Sequence, residues 1–323
     1  MKKIILTIVL ILVIGIVALA SYLKLVLPDV GKAPELKIEK TSERIKRGEY
    51  LAMHVNACMD CHSSRDWSLF SGPLIPGTLG KGGEYFGPEM GFPGKFYSDN
   101  LTPADLKNWT DGELFRAITS GVDKDGRALF PVMPYLYYGK MDKEDIYSII
   151  AYLRTLQTIE NAVPNSKASF PMNFIMNTLP EKPQFVKRPE EEDRIEYGAY
   201  LVNAGGCIDC HTQVDKGQII PKLAFSGGRE FPMPTGMVRS ANITPDINTG
   251  IGRWSESDFI HRFKKYEDPM KIKETDIAEY DTMMPWTMYA GMDSTDLRSI
   301  FAYLKTLRPI QNEVEQFTKN GTR

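Results

Sequence analysis

The chain has 323 residues, which is room for two ordinary domains plus extras. With 42% hydrophobic, 25% charged and 11% aromatic residues, wholesale disorder and fibrous structure are excluded. The net charge is −2 and no large Lys/Arg cluster is present to release the counterions of a phosphate backbone, which excludes nucleic acid as a partner.

Lys2 and Lys3 precede a run from Ile4 to Ala20 in which only Thr7 and Gly15 are not strongly apolar. Continued to Leu23, a helix at about 1.5 Å per residue reaches about 30 Å, the thickness of a hydrocarbon core. Residues 1–27 therefore read as a membrane anchor, and Ala18-Leu19-Ala20 leaves open a cleaved signal. The lysines keep that end cytoplasmic, so the rest of the chain is expected on the periplasmic side of the inner membrane. Residues 28–45 follow as a charged tether.

The next elements carry the chemistry. Cys58-Met59-Asp60-Cys61-His62 and Cys207-Ile208-Asp209-Cys210-His211 are both C-x-x-C-H, and they use every cysteine in the chain. This spacing suits covalent haem c, in which two thiols add to the porphyrin vinyl groups and the adjacent imidazole meets the iron. A Cys₄ zinc site would not require a histidine after each pair. A thioredoxin-like pair would need a βαβ context that is absent. Two covalently bound haem c groups are expected, with Cys58, Cys61, Cys207 and Cys210 as anchors and His62 and His211 as iron ligands.

The sequence around these motifs repeats once. Gly48-Glu49-Tyr50-Leu51 matches Gly198-Ala199-Tyr200-Leu201, Gly82-Gly83 matches Gly227-Gly228, and Asn100-Leu101-Thr102-Pro103 matches Asn242-Ile243-Thr244-Pro245. Trp109 and Trp254 each lead a helix whose capping pairs, Thr110/Glu113 and Ser255/Asp258, coincide. A six-residue insertion then falls between Phe263 and Met284. Met133-Pro134 and Met284-Pro285 occupy one repeat position, ahead of a closing amphipathic helix with Asp142 or Asp293 as its expected N-cap. A Met-Pro on an extended turn can press sulfur onto the iron face opposite histidine, so Met133 and Met284 are the expected distal ligands, with Met283 as competitor. His54 and His261 lie at unmatched positions and read as solvent-facing or as supporting residues behind the ligands.

The order C-x-x-C-H, Asn-Ile/Leu-Thr-Pro, Trp-led helix, Met-Pro and terminal helix resembles the class I cytochrome c domains in the multihaem subunits of membrane-bound alcohol and gluconate dehydrogenases. The resemblance covers about residues 45–310, with Asn242-Ile243-Thr244-Pro245-Asp246 to Gly250-Ile251-Gly252-Arg253-Trp254 the closest match. It implies a mostly α fold, two tandem class I domains behind an N-terminal transmembrane helix, and the same ligand set. The domains fall at 46–158 and 191–310, with a proline-rich linker of little structure at 159–190 and a tail at 311–323. Those subunits usually carry three haem domains, and this chain has two.

A six-coordinate His/Met iron leaves no site for substrate, which points to an electron carrier rather than an enzyme. The expected partners are a periplasmic-side dehydrogenase or quinol-oxidising complex and a terminal oxidase or another cytochrome. A dihaem cytochrome c peroxidase is the alternative, but its chemistry needs one iron able to open, whereas the two copies agree at the ligand position. A thiosulfate-oxidising dihaem enzyme would need a fifth cysteine. A structural or haem-sensing module would lack any signalling domain to serve.

Overall fold

The computed structural model describes residues 1–268, 272 and 281–319. In chain order its helices are α1 (Lys2–Leu25), α2 (Ser42–Tyr50), α3 (Cys58–Cys61), α4 (Pro103–Leu106), α5 (Asp111–Ser120), α6 (Tyr135–Tyr138) and α7 (Lys143–Leu153). They continue with α8 (Met172–Ile175), α9 (Arg194–Ala204), α10 (Cys207–Cys210), α11 (Glu256–Lys264), α12 (Trp286–Tyr289) and α13 (Ser294–Thr306). Short strands fill the gaps: β1 (Tyr85–Phe86), β2 (Gly94–Tyr97), β3 (Lys167–Ala168), β4 (Val214–Asp215), β5 (Gln218–Ile219), β6 (Glu230–Met233), β7 (Gly236–Arg239) and β8 (Phe317–Lys319). The six-residue insertion lies between Phe263 and Met284, and residues 269–280 of that stretch, apart from Ile272, lie outside the described residues.

Each repeat is built on one close helix crossing. In the first, α2 crosses α7 at Gly48, where a Cβ would overlap the Ser148 carbonyl. In the second, α9 crosses α13 at Gly198, where a Cβ would overlap the Ser299 carbonyl. The G-x-Y-L motif is thus a contact requirement. Leu51, Ile146 and Ile150 are fully buried at the first crossing, as are Leu201 and Leu297 at the second. Each such side chain contributes about 1.5–3 kcal/mol by leaving water. Phe115 of α5 and Phe259 of α11 join the same core.

The capping pairs form as the sequence predicts. Thr110 with Glu113 and Ser255 with Asp258 each make a reciprocal box at the start of α5 and α11. Asp142 caps α7 by accepting from the Glu144 N–H at 2.8 Å. The Asp293 side chain makes no cap bond to α13; its backbone N–H donates to the Tyr50 hydroxyl at 3.0 Å, as the Asp142 N–H does to the Tyr200 hydroxyl at 3.2 Å.

Three stretches differ from expectation. The repeat continues past the closing helices: the Asn161 amide donates to Lys81 O and the Asn312 amide to the matching Ser226 O, both at 2.9 Å. Then β3 pairs antiparallel with β2, and β8 with β7. Residues assigned to the linker and tail therefore complete the two sheets. The rest of the linker also has structure of its own, because α8 packs against the end of α1 and Phe185 packs tilted on Phe115 with ring centroids 5.3 Å apart. The tether too is docked, with Ile38 N–H donating to the Asp111 carboxylate at 2.9 Å, and α2 begins at Ser42 under a Thr41 cap.

Among the described residues, α1 alone is long and apolar enough to cross a membrane. None of its residues is buried.

Candidate functional site

Each C-x-x-C forms a single helical turn, α3 or α10, entered through a left-handed residue: Ala57 at φ 48° or Gly206 at φ 62°. One turn brings both thiols to the same edge and leaves the histidine just past it. All four thiols are free. Among the described residues no three His, Cys, Asp or Glu side chains converge as a metal cluster.

The histidines are oriented identically. His62 Nδ1 meets the Asp99 carbonyl at 2.7 Å, and His211 Nδ1 meets the Ala241 carbonyl at 2.8 Å. That bond makes Nδ1 the protonated nitrogen and leaves Nε2 with a free lone pair, the arrangement a metal-binding imidazole needs. Burial lowers both imidazoles from the usual histidine value, with the carbonyl contacts opposing. The neutral form is the one that can ligate.

Glycines hold the carbonyls in place. Gly82 N–H donates to His62 O and Gly227 N–H to His211 O, both at 2.8 Å. Both glycines have positive φ, and a Cβ would strike the Asp99 or Ala241 backbone. The Asn-x-Thr-Pro motif fixes the other side. Asn100 accepts from Thr102 N–H at 2.8 Å and donates to Ile159 O at 2.8 Å, and Asn242 accepts from Thr244 N–H at 3.0 Å and donates to Ile310 O at 2.8 Å.

Met133 and Met284 occupy the same local structure, which is tighter than the extended turn expected. Tyr135 N–H donates to Met133 O and Trp286 N–H to Met284 O, both at 2.8 Å, across Pro134 (φ −82°, ψ 51°) and Pro285 (φ −78°, ψ 66°). These are inverse γ-turns, which proline favours by fixing φ. Met284, not Met283, sits at the position equivalent to Met133. The helix after each turn is tied to the residues just ahead of the cysteines, because the Tyr138 hydroxyl donates to Asn56 O at 3.1 Å and the Tyr289 hydroxyl to Gly205 O at 2.9 Å. Paired thiols, an imidazole with a free nitrogen and a methionine turn braced to the same segment fit a covalently held haem in each repeat.

The two sites abut. The Asn56 amide donates to Ala204 O at 3.3 Å, placing the approaches to Cys58 and Cys207 side by side. Around this contact the interactions come in matched pairs. The Tyr50 hydroxyl donates to Asp296 and the Tyr200 hydroxyl to Asp145, both at 2.7 Å. The Asn203 amide donates to Tyr137 O at 3.0 Å, and His54 Nδ1 lies 2.9 Å from Met288 O. His54 is therefore an interface residue, answered in the second repeat by Asn203, whereas His261 is exposed.

The pairing is not perfectly symmetric. Buried Asp145 also takes salt bridges from Arg47 at 2.9 Å and Arg188 at 2.8 Å. Burial pushes its carboxyl up, but the arginines and Tyr200 outweigh that and hold it below the usual aspartate value. Asp296 has no arginine partner at salt-bridge distance among the described residues, and burial leaves its carboxyl raised. Asp60, inside the first C-x-x-C, is buried against Arg65 at 2.8 Å, and burial pushes it up to about 6 despite that cation. Its counterpart Asp209 instead accepts from the Tyr137 hydroxyl of the first repeat at 2.9 Å. The loop after Arg65 also crosses over, with the Ser71 hydroxyl donating to Met284 O at 2.7 Å.

Asp145→Ala is expected to lower stability by about 3 kcal/mol at pH 7, because Arg47 and Arg188 would be left without their buried partner. A carboxyl whose folded pKa is depressed gives stability that is present above its unfolded value and lost as pH falls through the folded one. The wild-type advantage over Asp145→Asn should therefore shrink below about pH 4. Urea unfolding of the detergent-solubilised protein at pH 7 and pH 3 measures it. An equal advantage at both pH values would contradict the assignment of Asp145 as a charged latch.

No family model matches the chain. It is 27% identical over 296 residues to the cytochrome c subunit of the quinone alcohol dehydrogenase of Gluconacetobacter polyoxogenes, covering 86% of this chain and 58% of that one. It is 26% identical over 308 residues to the gluconate 2-dehydrogenase cytochrome c subunit of Pantoea cypripedii, covering 89% and 65%. A diheme cytochrome c-type protein of Cereibacter sphaeroides is 27% identical over 295 residues, covering 87% and 92%. The chain thus resembles dehydrogenase cytochrome c subunits, of whose length it spans somewhat over half, and a dihaem cytochrome c of nearly matching length.

Proposed function

We propose that the chain is a membrane-attached dihaem cytochrome c with two tandem class I domains. In this reading it carries electrons from a periplasmic-side dehydrogenase or quinol-oxidising complex to a terminal oxidase or another cytochrome. Cys58, Cys61, His62 and Met133 would hold one haem c, and Cys207, Cys210, His211 and Met284 the other. Each haem, when bound, supplies a one-electron iron couple. The single observation that carries the reading is that the segments leading into two equivalent attachment turns touch at the Asn56–Ala204 contact, which would hold two haems at a fixed separation for a relay.

The residues of the join serve rigidity. The Tyr50–Asp296 and Tyr200–Asp145 pairs hold the two closing helices against the opposite repeat, so their spacing is set by buried hydrogen bonds and not by the linker. Both repeats brace methionine in the same turn, which favours a carrier over a peroxidase needing one open position.

The test is made on native membranes holding the full-length protein. Ethanol, gluconate, fructose and a quinol, each added anaerobically, are offered as electron sources, and the haem absorption is followed. One of them should reduce both haems, and oxygen should reoxidise them. No reduction by any source, together with turnover of hydrogen peroxide by the purified protein, would replace the carrier reading with the peroxidase one.

A further inference from the structure

The end of α1 is not a free hinge. The Lys24 ammonium donates to Asn173 O at 2.8 Å, and the Asn177 amide donates to Leu23 O at 2.8 Å. Lys24 also lies over the Phe174 ring, 5.0 Å from its centroid. A segment about 150 residues further along the chain is therefore clamped to the last turn of the apolar helix. The same segment is fastened to the first repeat, because Ser169 N–H donates to Pro93 O at 2.9 Å just after β3 has paired with β2. The path from α1 to the haem-bearing core runs through this clamp as well as through residues 28–41.

The clamp exposes apolar side chains where it meets α1. Phe170 is 82% exposed and Ile175 42% exposed. Phe170 packs only its edge on Phe174, at 6.4 Å between centroids. On the helix itself Leu25 is 84% and Val26 55% exposed, so the patch is continuous in kind with the surface of α1. Depth follows from length. The helix of 24 residues is about 36 Å long, against about 30 Å of hydrocarbon, so Leu23 and Lys24 fall at the headgroup boundary and whatever is bonded to them falls there too. Lys24 can place its stem in the apolar layer and its charge at the boundary.

We propose that residues 169–178 form a membrane-interface foot, with Phe170 and Ile175 inserted at the boundary between headgroups and acyl chains. This rests on the membrane attachment proposed above. The occupant of the patch is lipid, because the patch adjoins α1, which the attachment proposed above places in lipid. A helix anchor alone would let the repeats swing on the short stretch between α1 and Pro34, where the tether meets Gly112 and is docked from there on. A foot clamped to the helix and to β2 holds the first repeat at one height and tilt, which fixes the face it offers to membrane partners.

The experiment places a photoreactive benzoylphenylalanine, one position at a time, at 170, 175, 10 and 247 of the full-length holoprotein. The protein is held in nanodiscs of phosphatidylethanolamine and phosphatidylglycerol, and lipid adducts are measured by mass spectrometry after illumination. Leu10 reports the anchor, and Ile247, exposed on the second repeat, reports background. Adduct yields at 170 and 175 should exceed the yield at 247 by at least about five-fold and approach that at 10. Adducts at 10 with only background at 170 and 175 would overturn the foot and leave the anchor standing. Background at 10 would overturn the anchor reading and the foot with it. Cross-links from 170 to a second protein chain in place of lipid would also overturn the foot.

Discussion

Replacing Cys58 and Cys61 together by Ala is expected to remove one haem from the chain and leave the other covalently bound. Wild-type holoprotein should carry two haems by mass, and the double variant one, with the pyridine haemochrome absorbance per chain falling by about half. The reasoning is that the groups orienting the second histidine are supplied locally: Gly227 and Ala241 hold His211, and the Asn242–Thr244 lock holds that loop to Ile310. The matching change at Cys207 and Cys210 should spare the first haem for the same reason. The changes are not wholly independent, because Ser71 and Tyr137 of the first repeat touch Met284 and Asp209. Loss of both haems from the Cys58/Cys61 variant would mean that the pockets form as one unit and would overturn separate attachment. Haem extracted by acid solvent from the wild type would overturn covalent attachment itself.

What could be read from the sequence was whatever lies within one repeat. The C-x-x-C-H turns, the capping pairs and the methionine positions are short-range patterns, and duplication showed which occurrences to keep. Gly48 and Gly198 were visible as a repeated motif, and their reason, a backbone crossing too close for a Cβ, appears only when α7 and α13 are in place. The join between repeats was not legible. Tyr50 and Asp296 are an ordinary tyrosine and aspartate separated by 246 residues, and no periodicity links them. The same holds for Asn203, which answers His54 with a different residue type making an equivalent contact. β3 and β8 were missed because strands of two or three residues are too short to show alternation.

The failed cap at Asp293 has no such explanation: its N–H is taken by a tyrosine from the other repeat, but so is that of Asp142, which does cap its helix. Ala57 shows the opposite case, a residue that local rules argue against in a left-handed conformation at a cost of about 1 kcal/mol, where the second repeat uses Gly206.

Met133→Ala and Met284→Ala should each remove about half of the weak near-infrared sulfur-to-iron band of the oxidised protein. Both methionines sit at the first position of an inverse γ-turn whose proline fixes φ, and the following helix is tied by Tyr138 or Tyr289 to the residues preceding the cysteines. The bracing holds each sulfur-bearing residue in one relation to its thiol turn, so loss of the side chain should leave one coordination position open. Each variant should then bind cyanide or carbon monoxide at one iron, while the wild type resists both ligands. Met283→Ala should leave the band unchanged, because Met283 precedes the turn. Loss of the band in Met283→Ala with retention in Met284→Ala would move the ligand by one residue and keep the carrier reading. A high-spin or bis-histidine iron in the untouched protein would remove the reason for that reading, since one coordination position would then be open or held by His54 or His261, and peroxide would become a plausible substrate.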